Sequence, residues 1–176
     1  MSPAMRNRVT PLLDAVQIQA KVQELGARIS QDYEGKDLVL VGLLNGVFPF
    51  FADLARAISL DVDVTFMQVS SYGGTESTGE VLIKKDLDRP IQGRHALIIE
   101  DIVDTGLTLN KVRNLLRDRE PASLKICTLL DKPSRRIVQV PLDYVGFTIQ
   151  DEFVVGYGLD FDGHMRNLPF VGSFQP

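Results

Sequence analysis

His95–Arg113, HALIIEDIVDTGLTLNKVR, is the stretch whose reading decides the fold. It opens with Ala96-Leu97-Ile98-Ile99, a short continuous apolar run of the kind found in strands buried on both faces. It closes with Leu109, Val112, Leu115 and Leu116 at helical spacing. Between them stand Glu100, Asp101 and Asp104 and the turn Thr105-Gly106-Leu107-Thr108. A strand that runs through a short loop into a helix aims free backbone N–H groups and a helix dipole at one point, which suits a phosphate. Gly106 lets the backbone come close, and Thr105 and Thr108 add hydroxyl donors. Carboxylates beside a phosphate accept hydrogen bonds from vicinal sugar hydroxyls. They also attract Mg2+, a hard cation that often bridges substrate phosphates. The stretch therefore describes a site for a ribose 5-phosphate that carries further phosphate. The competing reading is a helix N-terminus decorated with dipole-favouring acids. The Walker spacing and the dinucleotide fingerprint are both absent.

Working outward, Ile18, Val22, Leu25 and Ile29 share one helical face, with Asp14 placed to cap it. Leu38–Leu44 reads as a buried strand, broken by Asn45-Gly46. Phe48–Ile58 reads as a helix whose Pro49 is tolerable in the first turn. Val62, Val64 and Phe66 alternate with polar residues as in a strand. SSYGGTESTGE, residues 70–80, has the composition of a functional mobile loop. Strands are then expected at Val81–Lys85, Leu124–Leu130, Tyr144–Ile149 and Phe153–Tyr157. Strands alternating with helices imply an α/β fold with a mainly parallel sheet covered on both faces. In such sheets ligands sit beyond the carboxyl ends of the strands. Asn45-Gly46, residues 100–108, Asp131-Lys132 and the segment after Tyr157 all occupy that kind of position.

With 176 residues, the chain reads as a single domain with one core. Net charge −4 argues against nucleic acid, which needs a basic face. The most apolar region, Leu38–Leu54, is cut by Gly42, Asn45, Gly46, Pro49 and Asp53, so it is no membrane span. Cys127, the one cysteine, lies in an apolar run and reads as a core thiol of a reducing compartment. Met1–Arg8 holds no apolar signal segment, and the expected location is cytoplasmic. Neither His95 nor His164 has a partner at metal-ligand spacing, so no zinc site is expected.

The quoted stretch resembles the phosphoribosyl-diphosphate (PRPP) motif of type I phosphoribosyltransferases. LVLVGLLNGVFPFFADLAR, SSYGGTESTGEV, LLDKPSRR and VGFTIQDEFVVGYGLDFDGHMRNLPFVG are similar, in the same order, to hypoxanthine-guanine phosphoribosyltransferases. The resemblance spans residues 12–172. It implies the type I phosphoribosyltransferase fold, a twisted, mainly parallel sheet with a small hood built from the N-terminal segment and roughly residues 150–176. It implies transfer of the 5-phosphoribosyl group from PRPP to N9 of hypoxanthine or guanine, with Mg2+, in a homodimer or homotetramer.

Roles follow from the same resemblance. Glu100 and Asp101 match the ribose-hydroxyl acids. Asp104, Thr105, Gly106, Leu107 and Thr108 match the 5′-phosphate cradle, with Asp104 also the catalytic acceptor of the purine proton. Asn45, Gly46 and Arg166 match pyrophosphate contacts. Ser71 and Tyr72 match the mobile loop that closes over the reaction. Lys132 matches the donor to the purine 6-oxygen, Phe153 the stacking ring, and Val154 the residue whose backbone reads the base edge. Asp160 matches a Mg2+-linked carboxylate beside the purine, and Glu100 and Asp101 complete the metal set. One departure is Asn45, where the family often has lysine; the loop there works largely through backbone N–H groups, frequently after a cis peptide.

Plainer readings stand beside these. Lys132 reads alone as a solvated loop lysine, Phe153 as sheet core, and Asp160 and Asp162 as turn acids. Arg166 reads as one half of a surface pair, Arg135 and Arg136 as solvated, His95 as a strand start and His164 as surface. Two rival functions are an RNA-binding regulator on the same fold, which net charge −4 opposes, and a xanthine-preferring transferase.

Overall fold

A computed structural model describes residues 8–71 and 81–175. Nine strands and three α-helices follow in the order β1 Val9–Leu13, α1 Ala15–Asp32, β2 Leu38–Leu44, α2 Phe48–Ala57, β3 Asp63–Ser71, β4 Val81–Lys85, β5 His95–Val103, α3 Leu107–Arg117, β6 Ser123–Asp131, β7 Tyr144–Thr148, β8 Val154–Val155 and β9 Val171–Phe174. The main sheet runs β4-β3-β2-β5-β6-β7. All its neighbours are parallel except β3 and β4.

Period two divides the central strands between two cores. Leu38, Leu40, Leu97 and Ile99 face α1 and α2 with Ile18, Val22, Leu25, Phe50 and Leu54. Val39, Val41, Ala96 and Ile98 face the opposite side with Leu109, Val112 and Leu116 of α3. Both faces of β2 and β5 are thus withdrawn from water, which explains their unbroken apolar runs. Asp14 caps α1 in a reciprocal box: it accepts from Gln17 N at 2.8 Å, and Gln17 Oε1 accepts from Asp14 N at 2.9 Å. Gly26 lets α1 close on α2, since a Cβ there would stand 2.6 Å from Ala57 Cβ.

A second, antiparallel sheet of order β1-β9-β8 draws on both ends of the chain. The strand expected over Phe153–Tyr157 contracts to Val154–Val155 and joins this smaller sheet. The cause is backbone conformation: Gly156, Tyr157 and Gly158 all have positive φ, so the chain turns where a strand would continue. No helix among the described residues is long and apolar enough to cross a membrane.

Candidate active site

Beyond the carboxyl ends of the parallel strands lies a cleft of about 700 Å³. It is lined by Asn45 and Gly46 after β2, Glu100 and Asp101 on β5, and Asp104, Thr105, Gly106 and Thr108 at the start of α3. Lys132 after β6 and Phe153, Val154, Asp160 and Arg166 from the C-terminal segment complete it. Leu107 does not line the cleft; its side chain is part-exposed on the first turn of α3. Tyr72 lies outside the described residues, as does most of the 70–80 loop. Ser71 ends β3.

β5 runs further than its apolar segment indicated. It continues through both acids to Val103, because β6 keeps pairing with it: Glu100 opposite Thr128, Ile102 opposite Leu130, Val103 opposite Asp131. Glu100 and Asp101 therefore sit within the carboxyl-terminal half of a paired strand, not in a loop. Burial and the mutual repulsion of the pair raise the Glu100 carboxyl well above the usual range. Burial also raises Asp101, against the opposing pull of its hydrogen bonds. Glu100 Oε2 is buried with no hydrogen-bond partner among the described residues. Such an acid pair is suited to hydroxyl donors or a cation. The β2–α2 loop presses directly on it. A Cβ on Gly46 would lie 1.8 Å from Asp101 Oδ2, and the Leu44–Asn45 peptide is cis.

The turn after β5 leads straight into α3, as the sequence reading of a strand–loop–helix expects. Gly106 adopts φ 81° at the N-cap of α3, with no side chain capping the helix. Leu107 N donates only a long bond, 3.4 Å, to Thr105 Oγ1, and the N-cap glycine itself offers no side-chain acceptor to the first turn of α3. Arg136 holds this loop from beneath. Its guanidinium is almost wholly buried, pairs with Asp131, and donates to the carbonyls of Asp104 at 3.0 Å and Val103 at 3.3 Å. The N–H groups of Ile137 and Val138 both donate to Thr105 O, and a Cβ on Gly106 would strike Val138 O at 2.3 Å. Arg136 is therefore not the solvated residue that composition indicated, because the chain folds it back under β5 and β6. Arg135 is not free either. Its Nε stands 3.0 Å from Asp104 Oδ1, and its Nη1 stands 3.6 Å from Asp151. The one sequence cue for both was their place just after Lys132.

Lys132 is 6% exposed and donates from Nζ to the carbonyl of Glu152. A solvated loop lysine is thereby ruled out. Phe153 is the reverse: 47% exposed, it lines the cleft with its ring edge-on to Phe161. The reading as sheet core fails, since β8 begins one residue later. Val154 is buried at the start of β8. Arg166 donates to Gly158 O at 2.7 Å and pairs with Asp160 at 2.8 Å. Gly158 in turn meets Gly46: a Cβ there would stand 1.8 Å from Gly46 O. The C-terminal segment and the β2–α2 loop thus fix one another's position. Among the described residues, no three Asp, Glu, His or Cys side chains converge as a metal cage.

His95 opens β5, with Nδ1 2.7 Å from Ser123 Oγ, and His164 is exposed. Burial raises the Cys127 thiol pKa, as expected of an inert core cysteine.

A parallel sheet with a phosphate turn, an acid pair and a lysine–phenylalanine pocket at its carboxyl end defines a class of phosphoribosyl-transferring proteins, and the comparisons agree. The phosphoribosyl transferase domain model matches residues 9–162, and the chain belongs to the phosphoribosyltransferase family. It is 54% identical over 172 residues to the hypoxanthine phosphoribosyltransferase of Haemophilus influenzae, covering 96% of each chain. It is 50% identical over 160 residues to the hypoxanthine-guanine phosphoribosyltransferase of Streptococcus pneumoniae, covering 90% of this chain and 89% of the other. A crystal structure of a hypoxanthine phosphoribosyltransferase from Staphylococcus aureus superposes with a TM-score of 0.95 at 50% identity, covering 100% of this chain and 97% of that one.

Proposed function

We propose that this chain is a purine-salvage transferase that moves the 5-phosphoribosyl group of PRPP to N9 of hypoxanthine or guanine. The products are IMP or GMP and pyrophosphate. The observation that carries the reading is the opposition of two halves in one cleft: a phosphate turn with a buried acid pair, facing a buried lysine beside an exposed aromatic ring.

Thr105, Gly106, Thr108 and the N-terminus of α3 hold the 5′-phosphate. Glu100 and Asp101 accept hydrogen bonds from the ribose hydroxyls. Asn45, Gly46 and Arg166 receive the pyrophosphate. The purine lies on Phe153, with Lys132 donating to its 6-oxygen and the backbone of Val154 at its edge. As N9 forms its bond to C1′ and the C1′–pyrophosphate bond breaks, the proton at N7 passes to Asp104. The sugar carries positive charge in such a transfer, so the residues act mainly by positioning. Mg2+ fits the acid pair, whose unpartnered Glu100 Oε2 and upward-shifted carboxyl pKa values mark unmet demand for positive charge. It keeps several non-protein ligands, needs only one or two carboxylates, and would neutralise the leaving group. Asp160 is engaged by Arg166 and by Gly163 N, which makes it a secondary ligand at most. Closure of the 70–80 loop would exclude water. Assembly as a homodimer or homotetramer and a cytoplasmic location belong to the same reading.

The test is nucleotide formation by the purified protein with PRPP, Mg2+ and, in turn, hypoxanthine, guanine, xanthine, adenine and uracil. An ammonium offers donors and no acceptor, so the amino group of adenine meets Lys132 donor to donor in a buried site. Adenine should therefore be used at least about 10²-fold less efficiently, by kcat/KM, than the better 6-oxopurine. Lys132→Gln, which both donates and accepts, should narrow the gap mainly by losing hypoxanthine and guanine. Equal use of adenine and hypoxanthine by the wild type would defeat this assignment.

A further inference from the structure

The short 3-10 turn Pro133–Arg135 follows Lys132 directly and projects Arg135 across the mouth of the cleft. Its guanidinium meets two carboxylates that line the same cleft: Asp104 at 3.0 Å, in the turn after β5, and Asp151 at 3.6 Å, two residues before Phe153. Arg135 therefore shares one cleft with Asp104, which it faces, and with Phe153, the two residues that the transferase reading gives to the base. Two further details bear on how firmly it is held. Asp104 Oδ1 is buried, yet it receives no hydrogen bond among the described residues. Arg135 faces it as an ion pair off the line of a hydrogen bond, so the oxygen still lacks a donor. Arg135 and Asp151 are each about half exposed, at 49% and 55%, so water screens the outer contact.

We propose that Arg135 is a displaceable counter-ion for Asp104 that the incoming purine must push aside, so that it sets purine affinity by competing for Oδ1. This rests on the transferase reading above. The purine supplies the aligned N–H donor that Oδ1 lacks, and the guanidinium is left to Asp151. Arg136, next in the chain, is buried and bound to the backbone of Asp104, so the loop keeps its place when Arg135 moves. The competitor is weak. Exposed ion pairs hold by about 0.2–1 kcal/mol, which is about 1.4- to 5-fold in an equilibrium.

The sign of the effect separates this role from a structural one. Arg135→Ala removes the competitor, so the KM for hypoxanthine at saturating PRPP should fall by about 1.4- to 5-fold. The KM for PRPP should move less than that. Arg135→Lys, which keeps the charge, should stay close to the wild type. Hypoxanthine is uncharged, so salt acts on its binding only through the protein. In the wild type, added KCl should lower the hypoxanthine KM toward the Arg135→Ala value, while that variant stays flat. A hypoxanthine KM that rises or is unchanged in Arg135→Ala overturns the proposal while leaving the transferase reading intact. Absence of nucleotide formation by the wild type removes both.

Discussion

Arg94, one residue before β5, reaches Asp37 with two nitrogens at 2.7 Å each and Asp63 with a third at 2.9 Å. Here the amino ends of β2, β3 and β5 are clipped together with each charge answered. At the other end of the same strand, Glu100 and Asp101 stand side by side in a buried place, with Glu100 Oε2 unpartnered. Hydrogen bonds from Arg94 hold both Asp37 and Asp63 below the ordinary carboxylate range, whereas burial pushes Glu100 and Asp101 above it. One strand thus ends in charge that folding satisfies and in charge that folding leaves for a ligand. The contrast teaches which end is for stability and which for binding.

The heaviest blow to the binding end should come from Asp104→Asn. The amide keeps the shape of the loop, which Arg136 fixes through the backbone carbonyls, but it accepts no proton. Positioned acid–base groups contribute about 10²–10⁴-fold, and a loss of that order is expected in single-turnover nucleotide formation. An unchanged rate under those conditions, where product release is bypassed, removes Asp104 from the chemical step.

Glu100→Gln with Asp101→Asn should sharpen the comparison by moving activity and stability in opposite directions. Hydrogen bonds to charged groups are worth about 1.5–3 kcal/mol, so donor kcat/KM should fall by at least about 10-fold per lost carboxylate. The ligand-free protein should gain about 0.5–2 kcal/mol at neutral pH, a rise in Tm of roughly 2–4 °C per kcal/mol. The sign follows from linkage. A raised folded pKa means that the folded state holds its proton more tightly, so wild-type stability falls as pH rises from the ordinary carboxylate range through the folded values. The double variant lacks that fall, and its advantage should open with rising pH. At the other end the sign reverses. Asp37 and Asp63 are depressed, so their stabilisation is present above the ordinary range and is lost as pH falls through their folded values. Arg94→Met should lower Tm at neutral pH and lose its effect in acid. Thermal melts from about pH 2 to 8 read both. Parallel curves for the wild type and the acid-pair variant would refute the claim of an unmet charge.

How much of this was legible beforehand depends on how local the cause is. The strand–turn–helix at 95–113 was readable because its signals are apolar runs, helical spacing and one glycine. The capping role of Asp14 was readable for the same reason. β3 was marked by Val62, Val64 and Phe66, yet its buried residues are Thr65 and Met67. Phe66 does pack on Phe51, at 4.5 Å between rings, while Val64 lies 48% exposed beyond that cover. Alternation identifies a strand but not which face its neighbours cover. The length of β5 was hidden because β6, not β5 itself, carries it past Ile99. Arg135 and Arg136 are adjacent and chemically identical, so only the tertiary return of residues 133–138 beneath the phosphate loop separates a half-exposed arm from a buried prop. Gly46 read as a breaker; its second role, leaving room for Asp101, is a contact across 55 residues of chain.

The smallest expected effect lies at Asn45, where the resemblance leads one to expect a lysine. Asn45 is exposed in the β2–α2 loop, and its Oδ1 accepts from Gln68 Nε2 at 3.3 Å. Its side chain is thus tied sideways to β3 and brings no charge to the cleft. The loop's position owes little to that amide. It is set by Gly46 lying flush on Asp101 and by Gly158 on Gly46 from the other side. If pyrophosphate is held mainly by backbone N–H groups here, a lysine at position 45 adds one solvent-screened charge at the cost of the Gln68 bond. Asn45→Lys should then tighten pyrophosphate inhibition by only about 0.2–1 kcal/mol, or about 1.4- to 5-fold, and the gain should shrink in added salt. Gly46→Ala is the opposing control: its Cβ has no room beside Asp101 Oδ2, so it should weaken pyrophosphate more than Asn45→Lys strengthens it. A gain of several kcal/mol from Asn45→Lys would mean that side-chain charge, not the backbone, governs pyrophosphate binding in this loop, and that the binding end of the sheet is weakened in the native chain.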